Sequence, residues 1–289
     1  MSSPFERIVK SVLGRIVKNG IDRILKGTGR DELPPTERQQ QESLKNHPWR
    51  LCPLGESWVR SHPLTVAASS KKPKYKTVRN AHCRMNSGGK EIYTADEFRE
   101  IAALHFQGLA NDPNAMPIPD ALDFANGNKY DLLIAGWTKF WNEIFKPDDP
   151  LTPDFVKALI ATESSFEVQS SENSKEGTAR GLIQVTENTR RILQKDSSKE
   201  LRDHLIDMTA EEAQEPEINI AAGIRWLHHK RNLLKKRLKR EVTWEEAGWE
   251  YKGIFKDVGR SDKTVNRIVK DLRDYHQQLK NQRAKLPRL

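Results

Sequence analysis

Glu163 is the residue of this chain whose position best suits acid chemistry. It follows Leu159 by four residues and Phe155 by eight, so a helix with 3.6 residues per turn places its carboxyl on an apolar stripe. A carboxyl that is shielded from water resists ionisation, and an acid that is still protonated near neutral pH can protonate a leaving oxygen. The alternative is a glutamate at the end of a helix that simply reaches solvent.

Three further segments follow Glu163 in a fixed order. The four segments are Glu163-Ser164-Ser165-Phe166, Gly181-Leu182-Ile183-Gln184-Val185, Asn219-Ile220-Ala221-Ala222-Gly223-Ile224-Arg225-Trp226-Leu227 and Glu250-Tyr251-Lys252-Gly253. This set resembles the catalytic domain of soluble lytic transglycosylases, which share the goose-type lysozyme fold. The family pattern is Glu-Ser-x-Phe, Gly-Leu-Met-Gln-Val, Asn-x-x-x-Gly-x-x-Tyr/Trp-Leu and Ala-Tyr-Asn-x-Gly. The resemblance spans residues 130–258, and it says little about residues 1–125.

The resemblance implies a role for particular residues at each of these segments. Glu163 would be the lone catalytic acid and base. The substrate-binding residues would be Ser164 beside that carboxyl, Gly181, Leu182, Ile183 and Gln184 along a groove, and Tyr251. The glycine would let sugar approach the backbone, the amide of Gln184 would hold N-acetyl or hydroxyl groups, and Tyr251 would reach the carboxyl. From the residues alone, Tyr251 could equally be a packed aromatic and Gln184 a polar residue at a helix start.

Three positions depart from the family pattern. Ile183 replaces a methionine, Thr178 stands where glycine is common, and Lys252 replaces the asparagine after the tyrosine. The first change is a tolerable apolar exchange. The lysine brings a positive charge near the expected site, so the contacts of that segment should differ from those of the family.

The implied reaction is cleavage of the β-1,4 bond between N-acetylmuramic acid and N-acetylglucosamine, leaving a 1,6-anhydro ring and needing no cofactor. Most glycosidases need a second carboxylate. The other candidate acids lie in polar stretches typical of a solvated surface: Glu167, Glu172, Glu176 and Asp203. A muramidase that admits water, or a module that binds peptidoglycan without cleaving it, remains the alternative.

Four soft ligands, Cys52, His62, His82 and Cys83, lie in the N-terminal part of the chain. Two cysteines and two histidines can form a structural zinc site, although this spacing is not that of a known zinc finger. A disulfide between the two cysteines and a set of unligated side chains are the other interpretations.

Apolar residues at steps of three and four predict the helices that carry these segments. One helix is expected from Tyr130 to Phe145, and another from Pro153 after the N-cap Thr152. Further helices are predicted to begin near Thr94, Thr186, Pro216, Thr243 and Ser261, with capping boxes at Thr94 with Glu97 and at Thr243 with Glu246. We therefore expect a mainly α protein with an all-helical, lysozyme-like catalytic domain.

The domain organisation follows from composition and periodicity. Residues 1–26 are predicted to form an amphipathic helix, residues 27–47 a linker, residues 48–127 a small module of unknown role, and residues 128–289 the catalytic domain, which should fold alone. Short strands are expected in the module around Val66, Tyr75, Thr77 and Val78. The helix over residues 5–25 could dock on the protein, on a delivery partner or on an anionic membrane.

The chain has 289 residues and a net charge of +9, with no apolar run long enough to span a membrane and no secretory signal. We expect synthesis in the cytoplasm and action in the periplasm or cell wall after non-classical export, with peptidoglycan as substrate and secretion machinery or an immunity protein as further partners. Seven of the eleven residues from Lys230 to Arg240 are basic and should form a solvated face. No nucleic-acid motif is present, so nucleic acid is not expected, and His228 and His229 should lie at the surface.

Overall fold

The computed structural model describes residues 49–68, 73–169, 171–174, 177–194 and 200–286. The predicted helix over residues 5–25 and the predicted linker over residues 27–47 lie outside the described residues. The described residues belong to one compact unit. No helix in the described ranges is both long and apolar enough to cross a membrane.

Short antiparallel strand pairs form the N-terminal part of the described chain. The strands are β1 (Glu56–Val59), β2 (His62–Val66), β3 (Tyr75–Arg79) and β4 (His82–Met85). β1 pairs with β4 and β2 pairs with β3, with Val66 opposite Tyr75 and Pro63 opposite Val78. The short strands predicted at these positions are therefore confirmed.

A disulfide between Cys52 and Cys83 ties this part of the chain together. The zinc site considered at Cys52, His62, His82 and Cys83 is wrong, because the two thiolates that would bind the metal are bonded to each other. The Nδ1 atoms of His62 and His82 lie 3.0 and 2.9 Å from the carbonyl oxygens of Arg60 and Asn80, respectively. No group of three or more His, Cys, Asp or Glu in the described ranges is placed to hold a metal ion.

Helices make up most of the remaining structure, which confirms a mainly α protein. They are α1 (Ala95–His105), α2 (Asp131–Phe145), α3 (Pro153–Ser164), α4 (Glu187–Gln194), α5 (Pro216–Leu238), α6 (Trp244–Tyr251) and α7 (Lys263–Arg283). α3 packs on α2 and α7, and α5 packs on α2 and α6. Short strands that the periodicity did not predict lie before α1 and between the later helices: β5 (Ile92–Thr94), β6 (Ser171–Ser174), β7 (Gly177–Arg180), β8 (Val185–Thr186) and β9 (Leu205–Asp207).

The predicted helix starts are confirmed with two differences. The Thr152 and Thr243 side chains accept hydrogen bonds from the backbone N–H groups of Phe155 and Glu246, and Thr243 with Glu246 forms a complete capping box. α7 is capped by Asp262, one residue after the expected position. At α1, Thr94 accepts from the backbone N–H of Glu97.

The Glu97 side chain does not complete the predicted capping box, because its carboxylate pairs with Arg50 instead. Its side chain is fully buried, and its Oε1 lies 3.1 Å from Nε of Arg50. Burial raises the pKa of Glu97, and the charge of Arg50 acts in the opposite direction. The Arg50 guanidinium also pairs with Glu91 and lies 4.6 Å from the centroid of the Tyr93 ring. The Glu97 carboxylate therefore holds Arg50, in the segment before β1, and does not cap the N-terminal end of α1.

One hydrophobic core runs through the predicted module and the predicted catalytic domain. β5 pairs in parallel with β9, with Tyr93 opposite Ile206, so the sheet joins residues on both sides of position 128. The fully buried Phe98 ring lies 4.7 Å from the centroid of Trp137, and the Tyr93 ring lies 5.5 Å from Trp141. The division at residue 128 that composition suggested does not separate two cores, because α1 supplies part of the apolar surface that covers α2.

The two histidines beside the basic run are buried, which corrects the expectation that they lie at the surface. His228 packs between the rings of Phe145 and Trp244, and His229 Nε2 lies 2.9 Å from Oε1 of Glu200. His228 thus contacts α2 and α6, and His229 contacts the segment before β9, so packing against distant segments rather than local charge decides their environment.

Candidate active site

Glu163 lies in the last turn of α3, one residue before the helix ends. The stripe below it, Phe155, Val156, Leu159 and Ile160, is buried, as the spacing predicted. The Glu163 side chain is 13% exposed, so the carboxyl is largely shielded but reaches solvent. Ser165 and Phe166 follow with φ angles of +53° and +66°, a left-handed turn that ends the helix beside the carboxyl. Positive φ angles are uncommon in residues other than glycine, and they are concentrated at functional sites.

Lys252 contacts this carboxyl directly. Its Nζ donates to Oε1 of Glu163 at 2.8 Å and to the carbonyl oxygen of Thr162 at 3.4 Å. The lysine side chain is only 8% exposed. The sequence indicated a positive charge near the site, and the structure makes it a direct ion pair with the expected acid.

Tyr251 precedes this lysine at the end of α6, and its ring packs against the core. Its hydroxyl donates to the carbonyl oxygen of Ile183 at 2.6 Å. Burial raises the pKa of Tyr251 well above its usual value, and the negative charge of Glu163 raises it further. Tyr251 therefore stays a neutral phenol that links α6 to the segment after β7.

The segment 181–184 forms the other side of the site, and α3 is fastened to it. The Ser164 hydroxyl donates to the carbonyl oxygen of Leu182 at 2.7 Å. The Gln184 Nε2 donates to the carbonyl oxygen of Gly181 at 2.8 Å, and Gln184 has a left-handed φ of +51°. The side chains of Leu182 and Ile183 are fully buried. These two residues therefore bond, through their backbone carbonyls and not through their apolar side chains, to Ser164 and Tyr251, which neighbour Glu163 and Lys252 in the chain.

The segment 181–184 packs on α5, at Asn219 and Gly223. The Asn219 amide nitrogen donates to the carbonyl oxygens of Arg180 and Ala213 at 2.9 and 2.6 Å, and its Oδ1 accepts from the N–H of Ile183 at 2.9 Å. A Cβ at Gly181 would lie 2.4 Å from the Asn219 amide nitrogen, and a Cβ at Gly223 would lie 2.1 Å from Ile183 Cγ2. Both glycines allow two parts of this protein to pack closely. The Asn219 side chain occupies the space that a Cβ at Gly181 would need. The structure therefore explains this glycine by packing against Asn219, and not by the close approach of a sugar that the resemblance implied.

Hydrogen bonds connect the segments of the predicted site, but several side chains have partners other than those expected. Ser164 and Tyr251 donate to backbone carbonyls, and the side chains of Leu182 and Ile183 lie in the core instead of lining a groove. Substrate binding by the backbone of this segment and by Gln184 stays a prediction. The direct contact of Lys252 with Glu163 and the triple hydrogen bonding of Asn219 were not predicted. The only sequence signals for them were the departure at the lysine and the presence of the asparagine in the third segment.

The part of the chain that contains this arrangement matches a known protein family. The family model of the transglycosylase SLT domain matches residues 146–271. Residues 146–271 are therefore similar to a transglycosylase SLT domain. No curated protein matches the chain with significance.

The SLT match contains all four segments of the site, from Glu163 on α3 to Lys252 after α6. The domain has a lysozyme-like helical fold, and the family acts on peptidoglycan as lytic transglycosylases. The match begins after α2 and leaves out α1 and β5, although these elements share the core of the SLT domain.

Proposed function

We propose that this chain is a lytic transglycosylase that cleaves the β-1,4 bond between N-acetylmuramic acid and N-acetylglucosamine, with Glu163 as its single acid and base. The observation that carries the proposal is the partly shielded Glu163 carboxyl at the point where the four segments of the SLT domain meet. Ser164 connects α3 with the segment 181–184, and Tyr251 connects that segment with α6, so the carboxyl has a fixed setting.

The proposed reaction needs one carboxyl group from the protein and no cofactor. The protonated Glu163 gives its proton to the glycosidic oxygen as the bond to the anomeric carbon breaks. The acetamido group of the substrate stabilises the cationic carbon. The Glu163 carboxylate then takes the proton of the 6-hydroxyl, whose oxygen bonds to the anomeric carbon and closes the 1,6-anhydro ring. The acid is regenerated, and no water is consumed.

The described residues near Glu163 support a one-carboxylate mechanism. Segment 181–184 contains no carboxylate, and the residues that follow Glu163 on the chain are Ser164, Ser165 and Phe166. Glu167 is exposed, and its Oε1 lies 3.4 Å from the amide nitrogen of Asn126. A second acid that would attack the anomeric carbon or activate water normally lies across the scissile bond from the first.

The test is the product that purified protein releases from peptidoglycan. We expect 1,6-anhydromuramyl ends from the wild-type chain and a loss of about 10²–10⁴-fold in rate for Glu163→Gln, because general acid and base catalysis contributes about that much. The exposed Glu167→Gln is the matched control and should keep the wild-type rate. Mass spectrometry of the products and circular dichroism of each variant provide the measurements.

Other outcomes of this assay would replace the proposal. Wild-type activity in Glu163→Gln would remove Glu163 from the reaction. Reducing ends in place of anhydro ends would identify a muramidase. Binding to peptidoglycan without any product over a broad pH range would identify a binding module.

We further propose that the protein acts in the periplasm or the cell wall, where its substrate lies. The Cys52–Cys83 disulfide supports this location, because disulfides form and persist in oxidising compartments such as the bacterial periplasm. Export machinery and an immunity protein are the partners that such a location would require of a wall-degrading effector.

A further inference from the structure

The hairpin formed by β2 and β3 carries apolar side chains that the protein does not cover. All five residues of β3 and three of the five residues of β2 are exposed. The exposed fractions of Leu64, Tyr75 and Val78 are 37%, 45% and 61%, and these are three of the six large apolar side chains that are exposed among the described residues. A two-stranded hairpin with no apolar face packed on a core gains little stability in water, so a cluster of this kind is typical of a binding surface.

The strand register places apolar side chains on both faces of the hairpin. Val66 lies opposite Tyr75, and Leu64 lies opposite Thr77. Because successive side chains of a strand point to opposite faces, Leu64, Val66 and Tyr75 share one face, and Val78 lies on the other. The apolar surface therefore belongs to the hairpin as a whole and not to one flat side of it.

The charge of this part of the chain has one sign. Between Glu56 and Glu91 the sequence contains eight Lys or Arg residues and no Asp or Glu. Three of these cations, Lys74, Lys76 and Arg79, lie at the start of β3 or within it, and all three are exposed. The hairpin therefore presents positive charge and apolar side chains next to one another.

The base of the hairpin is fixed to the body of the protein. β2 follows β1, and β3 leads into β4, so the hairpin continues the pair formed by β1 and β4. The Cys52–Cys83 disulfide lies at this pair, and the Thr94 hydroxyl donates to the carbonyl oxygen of Trp58 at 2.9 Å, which ties β1 to the start of α1. A surface that is anchored in this way loses little conformational freedom when it binds a partner.

A partner of the hairpin has to supply negative charge and apolar contact together. A second copy of the chain would bring cations against cations, and lysines on an edge strand disfavour pairing between copies. Peptidoglycan supplies carboxylates, but its sugars and stem peptides offer little apolar surface to Leu64 and Val78. An anionic bilayer supplies phosphate groups to the cations and apolar surface to side chains that enter its headgroup region.

We propose that the β2–β3 hairpin binds the surface of an anionic lipid bilayer. The hairpin enters the headgroup region obliquely, so that lipid meets both of its faces. Leu64, Tyr75 and Val78 then contact the acyl boundary, where tyrosine is enriched in membrane proteins, and Lys76 and Arg79 reach the phosphates. The outer edges of β2 and β3 pair with no other strand of the described chain, and unpaired backbone is costly in hydrocarbon, so the hairpin stays at the interface.

The experiment is sedimentation of the full chain with lipid vesicles. The chain should bind vesicles of phosphatidylglycerol mixed with phosphatidylcholine, and should bind vesicles of phosphatidylcholine alone far less. Lys76→Gln with Arg79→Gln should weaken binding to the anionic vesicles about 25-fold, because each cation near an anionic bilayer contributes about fivefold in affinity. The exposed pair Lys256→Gln with Lys263→Gln removes the same charge elsewhere and should bind as the wild type.

The apolar contact has its own variant and control. Leu64→Ser should weaken binding to the anionic vesicles roughly fivefold at constant salt, because a leucine side chain no longer leaves water. Leu286 is 45% exposed, so Leu286→Ser makes the same change elsewhere and should have no effect. Residues 1–26 are present in every variant, so the differences between variants report the hairpin alone. Wild-type affinity of Leu64→Ser would overturn the entry of the hairpin into the headgroup region.

Two further results would overturn the inference. The first is a wild-type chain that binds both kinds of vesicle equally or binds neither, which would leave an acidic protein as the partner of the hairpin. The second is a Lys76→Gln and Arg79→Gln variant that keeps its vesicle affinity and loses binding to peptidoglycan sacculi, which would assign the hairpin to wall carboxylates. Vesicle binding does not involve the chemistry of Glu163, so a chain that releases no product from peptidoglycan would contradict the proposed function and leave this inference standing.

Discussion

His228 lies inside the protein, with its ring about 5 Å from those of Phe145 and Trp244. Its Nε2 has no hydrogen-bond partner among the described residues. Burial lowers the pKa of His228 from 6.5 to about 3, and the charges of Arg225 and Arg231 act in the same direction. The ring is therefore neutral in the folded protein over the pH range in which a free histidine gains a proton.

His228 should make the protein sensitive to acid. Because its pKa is lower in the folded state, the unfolded state binds more protons between pH 6.5 and pH 3, and stability falls as the pH falls through this window. The cost should reach about 2 kcal/mol at pH 5. We expect His228→Phe, which keeps the ring and removes the titration, to lose less stability than the wild type between pH 7.5 and pH 5. Urea unfolding at both pH values measures this.

The comparison at pH 7.5 is the internal control for this variant. Any difference between wild type and variant there reports packing, and only the change between the two pH values reports the histidine. An identical pH dependence of the two proteins would show that His228 is not the acid-sensitive group.

Elements of the site are held by contacts between helix ends and loops. α5 presents Asn219 and Gly223 to the segment 181–184, and α3 and α6 reach the same segment through Ser164 and Tyr251. All three helices therefore hold the segment 181–184 in place, and most of the side chains of this segment are buried. Lys252, just after the end of α6, donates to the Glu163 carboxyl, so the position of α6 also bears on the proposed acid.

The disulfide is the covalent tie of the N-terminal strands, and its removal should be costly. Cys52 and Cys83 are 31 residues apart in sequence, and closing a loop of this length lowers the entropy of the unfolded chain. We expect Cys52→Ala with Cys83→Ala to lose about 3–4 kcal/mol of unfolding free energy under oxidising conditions. Urea unfolding with and without a thiol reductant measures the loss.

The reductant is the matched control for the double variant. It should lower the stability of the wild type toward that of the variant and leave the variant unchanged. Equal stability of the two proteins without reductant would show that the bond does not constrain the chain in solution.

The whole molecule is organised around a core that the SLT match only partly covers. Tyr93 on β5 and Phe98 on α1 precede the matched residues 146–271, yet both are fully buried against Trp137 and Trp141. Arg50 and Glu97 add a buried ion pair to the same region. The N-terminal strands and α1 are therefore part of the body that supports α2, whatever further role they have.

Truncation should show this dependence directly. A fragment of residues 126–289 leaves the partners of Tyr93, Phe98, Ile101 and Phe106 exposed, and each such side chain contributes about 1.5–3 kcal/mol when buried. Their sum is comparable to the whole stability of a typical domain, about 5–15 kcal/mol. We expect the fragment to aggregate, although periodicity alone suggested that it would fold. Size-exclusion chromatography and thermal melting by circular dichroism measure the outcome.

A fragment of residues 49–289, which contains all the described residues, is the control and should fold. If the fragment of residues 126–289 is instead monomeric with a cooperative melt, the core after residue 126 is sufficient by itself. The division at residue 128 that the sequence suggested would then hold.

The sequence by itself determined the helices, their caps and the ordered segments around Glu163. These features are local, because a helix period, a Thr152 cap or a Glu-Ser pair depends on residues only a few positions apart. The same local reasoning placed the carboxyl on an apolar stripe and foresaw a positive charge from Lys252.

Only the tertiary structure decided which groups meet across long distances in sequence. It joined Cys52 to Cys83, paired β5 with β9, and placed Lys252 on Glu163, 89 positions away. It also buried Lys157, whose Nζ lies 2.9 Å from Oδ2 of Asp131. A charged residue reads as solvent-exposed from its neighbours alone, and its environment is set by helices that pack from elsewhere in the chain. That is the physical reason why the sequence could indicate the acid but not its ion pair with Lys252.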